Sequence, residues 1–151
     1  MSAERGGIGV VVGASGALGG AIARRLASAG LTVVAVADSK GIAFDPRGVH
    51  AAGPDGKPVV APMEKRSLAE VLAAARSLPV PILVDCTAAD GMEAVYDAAF
   101  SRGIHVVAAN KKPLAGSIRA YDALMASARA HHRSYLYETT VGASLPVIST
   151  L

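Results

Sequence analysis

A chain of 151 residues, 52% hydrophobic and 18% charged, has the length and apolar content of a single compact domain, which excludes a disordered tail and argues against a second domain. A net charge of +3, an aromatic fraction of 4% and the lack of a dense Lys/Arg run mixed with aromatics argue against nucleic acid as a partner. Its one cysteine, Cys86, excludes an intrachain disulfide and a cysteine-built zinc site. With no apolar signal core behind "MSAERGG" and no apolar run near the roughly 18 residues of a membrane helix, the expectation is a soluble, cytoplasmic protein without a membrane partner.

Short β-rich runs alternate with alanine-rich amphipathic segments. "IGVVV" (8–12) predicts a buried strand. "ALGGAIARRLASAG" (17–30) predicts a helix that turns Leu18, Ile22 and Leu26 to one face and stops at Gly30. "LTVVAVA" (31–37) predicts a second strand, and the Gly- and Pro-rich stretch 39–62 a long irregular loop. Ser67 followed by Glu70 reads as a capping box opening a helix over 67–77, with Leu68, Val71, Leu72 and Ala75 inward. Strand "PILVDC" (81–86), helix 91–103, strand "IHVVAA" (104–109), helix 117–130 and a last strand within "SYLYETT" complete the alternation. His131, His132 and Arg133 suit the dipole at the end of that last helix better than a metal.

Strands alternating with helices of this size predict an α/β fold: a doubly wound parallel sheet with helices on both faces, in three αβα layers. Such sheets bind ligands at the carboxyl ends of their strands, and that edge receives 13–19, Asp38, Thr87, Asn110 and Lys111.

Between the first strand and first helix, Gly13, Gly16 and Gly19 form G-x-x-G-x-x-G. Glycines there allow a tight turn and let backbone amides meet a pyrophosphate at the helix N-terminus; the bland alternative is a turn alone. Ser15, Ala17 and Leu18 fall within the same loop. Asp38 closes the second strand where an acid accepts from adenosine ribose hydroxyls, unless it only caps a turn. Ser39 and Lys40 beside it could hold a 2′-phosphate, with Lys57 as a second cation, so NAD and NADP both stay open; the bland reading of both lysines is solvated surface charge, and for Lys57 it is the better one. Thr87 offers a hydroxyl and a backbone N–H to a pyrophosphate or a nicotinamide amide, next to Ala88. Cys86 reads as a small filler rather than a nucleophile, since no base accompanies it. Lys111, at a strand end, would orient an anionic substrate or stabilise oxygen gaining charge during hydride transfer; its bland reading is a surface lysine capping sheet carbonyls.

Three blocks in order, "VDCTAADG", "GIHVVAANKKPLAG" and "YLYETTVGASLP", resemble the cofactor-binding part of homoserine dehydrogenase. The resemblance implies a Rossmann-type dinucleotide domain over 1–140, with 141–151 leading toward a catalytic and dimerisation domain. It implies NADP- or NAD-dependent interconversion of L-aspartate 4-semialdehyde and L-homoserine, toward threonine and methionine, in a homodimer acting on a small amino acid. It lays the glycine loop on 13–19, the nicotinamide-side threonine on Thr87 and the Asn-Lys pair on Asn110 and Lys111, with Lys111 beside nicotinamide and substrate. It also matches "ETTVGASLP" to a monovalent-cation loop, sodium being the expected ion, with Glu138 and the carbonyls of Val141, Ala143 and Leu145 as ligands; the alternative is a plain connecting turn. Because the family's proton-transfer groups lie in the second domain, the expectation for 1–151 alone is coenzyme binding with little turnover.

Competing readings fail on particular residues or stay open. No tyrosine has a lysine four positions later, as a short-chain dehydrogenase needs, and Cys86 is misplaced for an aspartate-semialdehyde dehydrogenase. A nucleotide-sensing module remains the noncatalytic alternative.

Overall fold

The computed structural model describes residues 8–13, 17–52, 58–60 and 64–137. Its elements run β1 (Ile8–Val12), α1 (Ala17–Ser28), β2 (Thr32–Asp38), β3 (Gly41–Phe44), β4 (His50–Ala52), β5 (Pro58–Val60), α2 (Leu68–Ala75), β6 (Pro81–Asp85), α3 (Met92–Ser101), β7 (His105–Ala108), a 3₁₀ turn (Lys112–Leu114), α4 (Ile118–Ala130) and β8 (Tyr135–Leu136). Six strands form one sheet in the order β3-β2-β1-β6-β7-β8; every neighbouring pair is parallel except β2 with β3.

The sheet carries a core on each face, because its inner strands alternate apolar residues up and down and are covered twice. On one face Leu83, Val106 and Ala108 pack with Val71 and Leu72 of α2, Tyr96 and Phe100 of α3 and Leu124 of α4. On the other, Val33, Val36 and Val84 pack with Ala23 of α1, joined by Ile22 and Leu26. The three αβα layers are therefore those the alternation predicts. Fully burying a side chain such as Leu83 or Phe100 contributes about 1.5–3 kcal/mol.

Leu18 departs from expectation. It is 52% exposed, and α1 meets the sheet through Ala23 with Ile22 and Leu26. With Ala23 turned onto the sheet, position 18, five residues earlier, lies well round the helix from that face.

The stretch 39–62 is not an irregular loop throughout. A two-residue turn at Ser39 and Lys40 reverses β2 into β3, and β4 pairs β5 antiparallel. Asp38 makes this turn: its Oδ1 accepts the Lys40 N–H at 2.7 Å, a local bond that Asp and Asn form readily. β3 is then held from outside by Glu64, whose N–H and C=O bond to the C=O and N–H of Ile42, both at 2.9 Å. A Cβ added at Gly41 would stand 2.6 Å from the Glu64 carbonyl oxygen, so only glycine admits that approach. From Glu64 the chain runs directly into α2, whose capping box is as read: Glu70 N–H donates to Ser67 Oγ, and Glu70 Oε2 accepts the Ser67 N–H.

Candidate functional site

β1 and β6 lie side by side in register, Val12 opposite Asp85, yet β1 connects onward to β2 on one side while β6 connects to β7 on the other. Helices leaving in opposite directions open a crevice at the carboxyl edge, where doubly wound sheets bind ligands. A cleft of about 900 Å³ occupies that position.

Gly13, Asp38, Ser39, Lys40, Cys86 and Thr87 line this cleft together. Gly13 has φ +76°, and a Cβ there would lie 2.9 Å from Thr87 Cγ2 and 3.3 Å from the Thr87 nitrogen. Position 13 thus needs glycine for its backbone and for its neighbour. Its own N–H donates to the Ala37 carbonyl at 2.6 Å and is not offered to a ligand. Ala17 begins α1, Leu18 is exposed and Gly19 is buried; Ser15 and Gly16 lie outside the described residues.

Asp38 caps its turn through Oδ1 and also lines the cleft. Opposite Lys40, Lys65 and Arg66 enter the lining, carried there by the bridge that ties Glu64 to β3. Sequence reasoning missed both; their only signal was a basic pair just ahead of a capping box. Arg66 donates to Glu64 Oε2 at 2.7 Å and lies over the Phe44 ring at 5.7 Å. Lys57, also weighed for a 2′-phosphate, lies outside the described residues.

Below Thr87 the strand end holds a buried polar knot. Asp85 and Asn110 are 0% and 2% exposed. Asp85 Oδ1 accepts the Thr87 N–H at 2.8 Å; Oδ2 accepts the Tyr96 hydroxyl at 2.5 Å and Asn110 Nδ2 at 3.2 Å. Asn110 Nδ2 also reaches Thr87 Oγ1 at 3.3 Å and the Ala89 carbonyl at 2.9 Å, while its Oδ1 accepts the Lys112 N–H at 3.1 Å. The expectation that Thr87 offers its backbone N–H is therefore corrected: Asp85 already holds it. Asp85 and Tyr96 were missed as site residues, though an acid closing an otherwise apolar strand has to find donors.

Burial, then the neighbouring Asp85, pushes the Cys86 thiol up, so it stays neutral at the cleft wall, where it is half-buried. Ala88 is exposed beyond it. Lys111 is exposed and caps the 3₁₀ turn, outside the cleft lining; Lys112 pairs with Asp90 at 2.7 Å in solvent. Among the described residues no cluster of His, Cys, Asp and Glu is placed to hold a metal, and the expected cation ligands Glu138, Val141, Ala143 and Leu145 lie outside them. No described helix is long and apolar enough to cross a membrane.

Residues 14–138 match the family described as homoserine dehydrogenase, NAD binding domain. The chain belongs to this family. A hyperthermophilic archaeal homoserine dehydrogenase in complex with NADPH superposes with a TM-score of 0.74 at 27% identity, over 95% of this chain and 47% of that one. A putative homoserine dehydrogenase from Archaeoglobus fulgidus gives 0.69 at 26% identity, over 95% and 45%. The bifunctional aspartokinase/homoserine dehydrogenase of Haemophilus influenzae is 44% identical over 71 residues, 47% of this chain and 9% of that protein. The homoserine dehydrogenase of Schizosaccharomyces pombe is 35% identical over 74 residues, 48% and 20%. The chain thus spans under half the length of these relatives. Homoserine dehydrogenase coenzyme domains are Rossmann-type, and the crevice between β1 and β6 has the room and strand-end position a dinucleotide requires.

Proposed function

We propose that this chain is the coenzyme half of an enzyme interconverting L-aspartate 4-semialdehyde and L-homoserine, a step toward threonine and methionine. The observation that carries the reading is the cleft joining the Gly13 turn to Thr87 across the β1–β6 crevice, in a chain of this family. When bound, the nicotinamide coenzyme supplies or takes up the hydride.

The chain's own groups divide the work of binding. The glycine turn and the α1 N-terminus face the pyrophosphate, Asp38 Oδ2 takes an adenosine ribose hydroxyl, and Thr87 serves the far side. Lys40, Lys65 and Arg66 around the same end favour NADP over NAD, since a 2′-phosphate would meet three cations. Lys111 then stands past the end of β7 as the cation for substrate or for oxygen gaining charge, with Lys112 tied to Asp90. The resemblance supports a second copy as partner, and sodium held by Glu138 with the carbonyls of Val141, Ala143 and Leu145.

Titration with NADH and NADPH, followed by nicotinamide fluorescence, tests the reading. Saturable binding below millimolar concentration is expected. A chain that binds neither at millimolar coenzyme is not a dinucleotide domain.

A further inference from the structure

The buried knot beneath the cleft fixes the direction of a hydrogen bond on its surface. We propose that Thr87 meets the coenzyme as a hydrogen-bond donor, its polarity imposed by Asp85 acting through Asn110, so that Asp85 and Asn110 are positioning residues for coenzyme binding.

The orientation of Asn110 is settled by its surroundings. Its Nδ2 lies against two fixed acceptors, Ala89 O and Asp85 Oδ2, and beside the Thr87 hydroxyl, while a backbone donor, Lys112 N–H, meets its Oδ1. A flipped amide would set oxygen against the Ala89 carbonyl and the Asp85 carboxylate, and nitrogen against a donor. One Nδ2 hydrogen goes to Ala89, and the other is shared between Asp85 and Thr87.

Thr87 Oγ1 also accepts the Ala89 N–H at 3.2 Å. Two incoming bonds occupy both lone pairs of the hydroxyl and leave its proton to donate. Thr87 lines the cleft, so that proton has an acceptor oxygen of the coenzyme to meet, either on the diphosphate or on the nicotinamide carboxamide. Asp85 holds the arrangement because both its oxygens are acceptors: they take the Thr87 N–H, the Tyr96 hydroxyl and Asn110 Nδ2. An amide at position 85 would offer N–H where Asn110 now donates. Asn110, held by the Ala89 carbonyl and the Lys112 N–H, would have its Nδ2 displaced from Thr87 Oγ1, and the hydroxyl would no longer be committed to donating to the ligand.

The inference rests on the coenzyme reading of the cleft, and the two fail separately. Wild-type protein that binds neither NADH nor NADPH ends that reading; wild-type binding with the wrong pattern among variants ends this one alone. Thr87→Val is expected to weaken NADH about tenfold, and Thr87→Ser to leave it near wild type. Asp85→Asn should lose a similar factor in the wild-type background but almost nothing further in Thr87→Val, since no hydroxyl remains to misdirect. A merely structural Asp85 would give the same loss in both backgrounds, and that additivity overturns the proposal, as does full affinity in Thr87→Val. Should Asp85→Asn fail to fold, Asn110→Ala, which removes the donor that commits Thr87 Oγ1 to accepting, is read in the same two backgrounds. ADP-ribose titrations identify the acceptor: a loss shared by NADH and ADP-ribose assigns the diphosphate, and a loss confined to NADH the carboxamide.

Discussion

The Tyr96 hydroxyl donates to Asp85 Oδ2 at 2.5 Å, both side chains wholly out of solvent, and this bond joins α3 to the end of β6 directly beneath the cleft. Tyr96→Phe leaves a buried acceptor short of a partner, which costs about 1–3 kcal/mol. Thermal unfolding should show a midpoint about 3–10 °C lower in a domain of this size. The pH dependence has a definite sign. Burial first, then the hydrogen bond to Asp85, raises the phenol from its ordinary value near 10.0. The neutral phenol is favoured in the fold, so its stabilisation is complete below that value and is lost as pH climbs above it. Urea titrations should find wild-type stability falling above about pH 10, and less steeply in Tyr96→Phe.

Gly13→Ala is expected to damage stability and binding together. The residue must hold a left-handed backbone, which costs an L residue about 1–2 kcal/mol, and its methyl group would press on Thr87. A lower unfolding midpoint accompanied by loss of NADH affinity is the expected pair. Unchanged NADH affinity would mean that the Gly13–Thr87 contact lies outside the coenzyme seat.

The cations at the adenosine end predict coenzyme choice. Lys40→Ala, Lys65→Ala and Arg66→Ala should each weaken NADPH up to about tenfold while sparing NADH. Glu64→Gln releases Arg66 from its ion pair and should strengthen NADPH. Because these groups are exposed, the NADPH preference should shrink as salt is added. Equal losses for both coenzymes would remove the 2′-phosphate assignment.

Lys111→Ala in the complete enzyme should lower turnover by about a hundredfold or more while leaving coenzyme affinity nearly intact. Lys112→Ala, which breaks only a surface pair, should stay within about fivefold of wild type. Equal activity in the two variants would return Lys111 to ordinary surface charge.

Tyr135 gives the opposite sign to Tyr96. Its ring packs 5.4 Å from Tyr96 and 6.1 Å from Phe100, yet its buried hydroxyl finds no hydrogen-bond partner among the described residues. Tyr135→Phe keeps the rings together and removes an unsatisfied group, so stability should hold or rise by up to about 1 kcal/mol. A lowered midpoint in calorimetry would reveal a partner for that hydroxyl.

What the sequence made legible follows how local each signal is. The capping box at Ser67 and Glu70 and the inward face of α2 depend on neighbours three or four positions apart, and both are present as read. Leu18 misled because periodicity counts apolar residues, whereas the face of α1 on the sheet is centred on the small Ala23, with Ile22 and Leu26 beside it. The turn at Ser39 and Lys40 was hidden among Gly and Pro because β3 is only four residues long and depends on Glu64, some twenty positions later. For the cleft, strand ends supplied Asp38 and Thr87. Lys65 and Arg66 required the tertiary bridge, and Asp85 with Tyr96 required knowing which donors a buried acid would meet.

The Ile42–Glu64 bridge also bears on association. A strand at the margin of a sheet ordinarily presents free amides and carbonyls on which another chain can add. Here Ile42 has both outward groups occupied by Glu64, and the neighbouring lysine and arginine surround that margin with charge. The clasp that brings cations to the cleft thus also blocks stray strand addition along β3. Loosening it, for instance by a bulky side chain at Gly41, should make the protein prone to aggregate as well as indifferent to which coenzyme it meets.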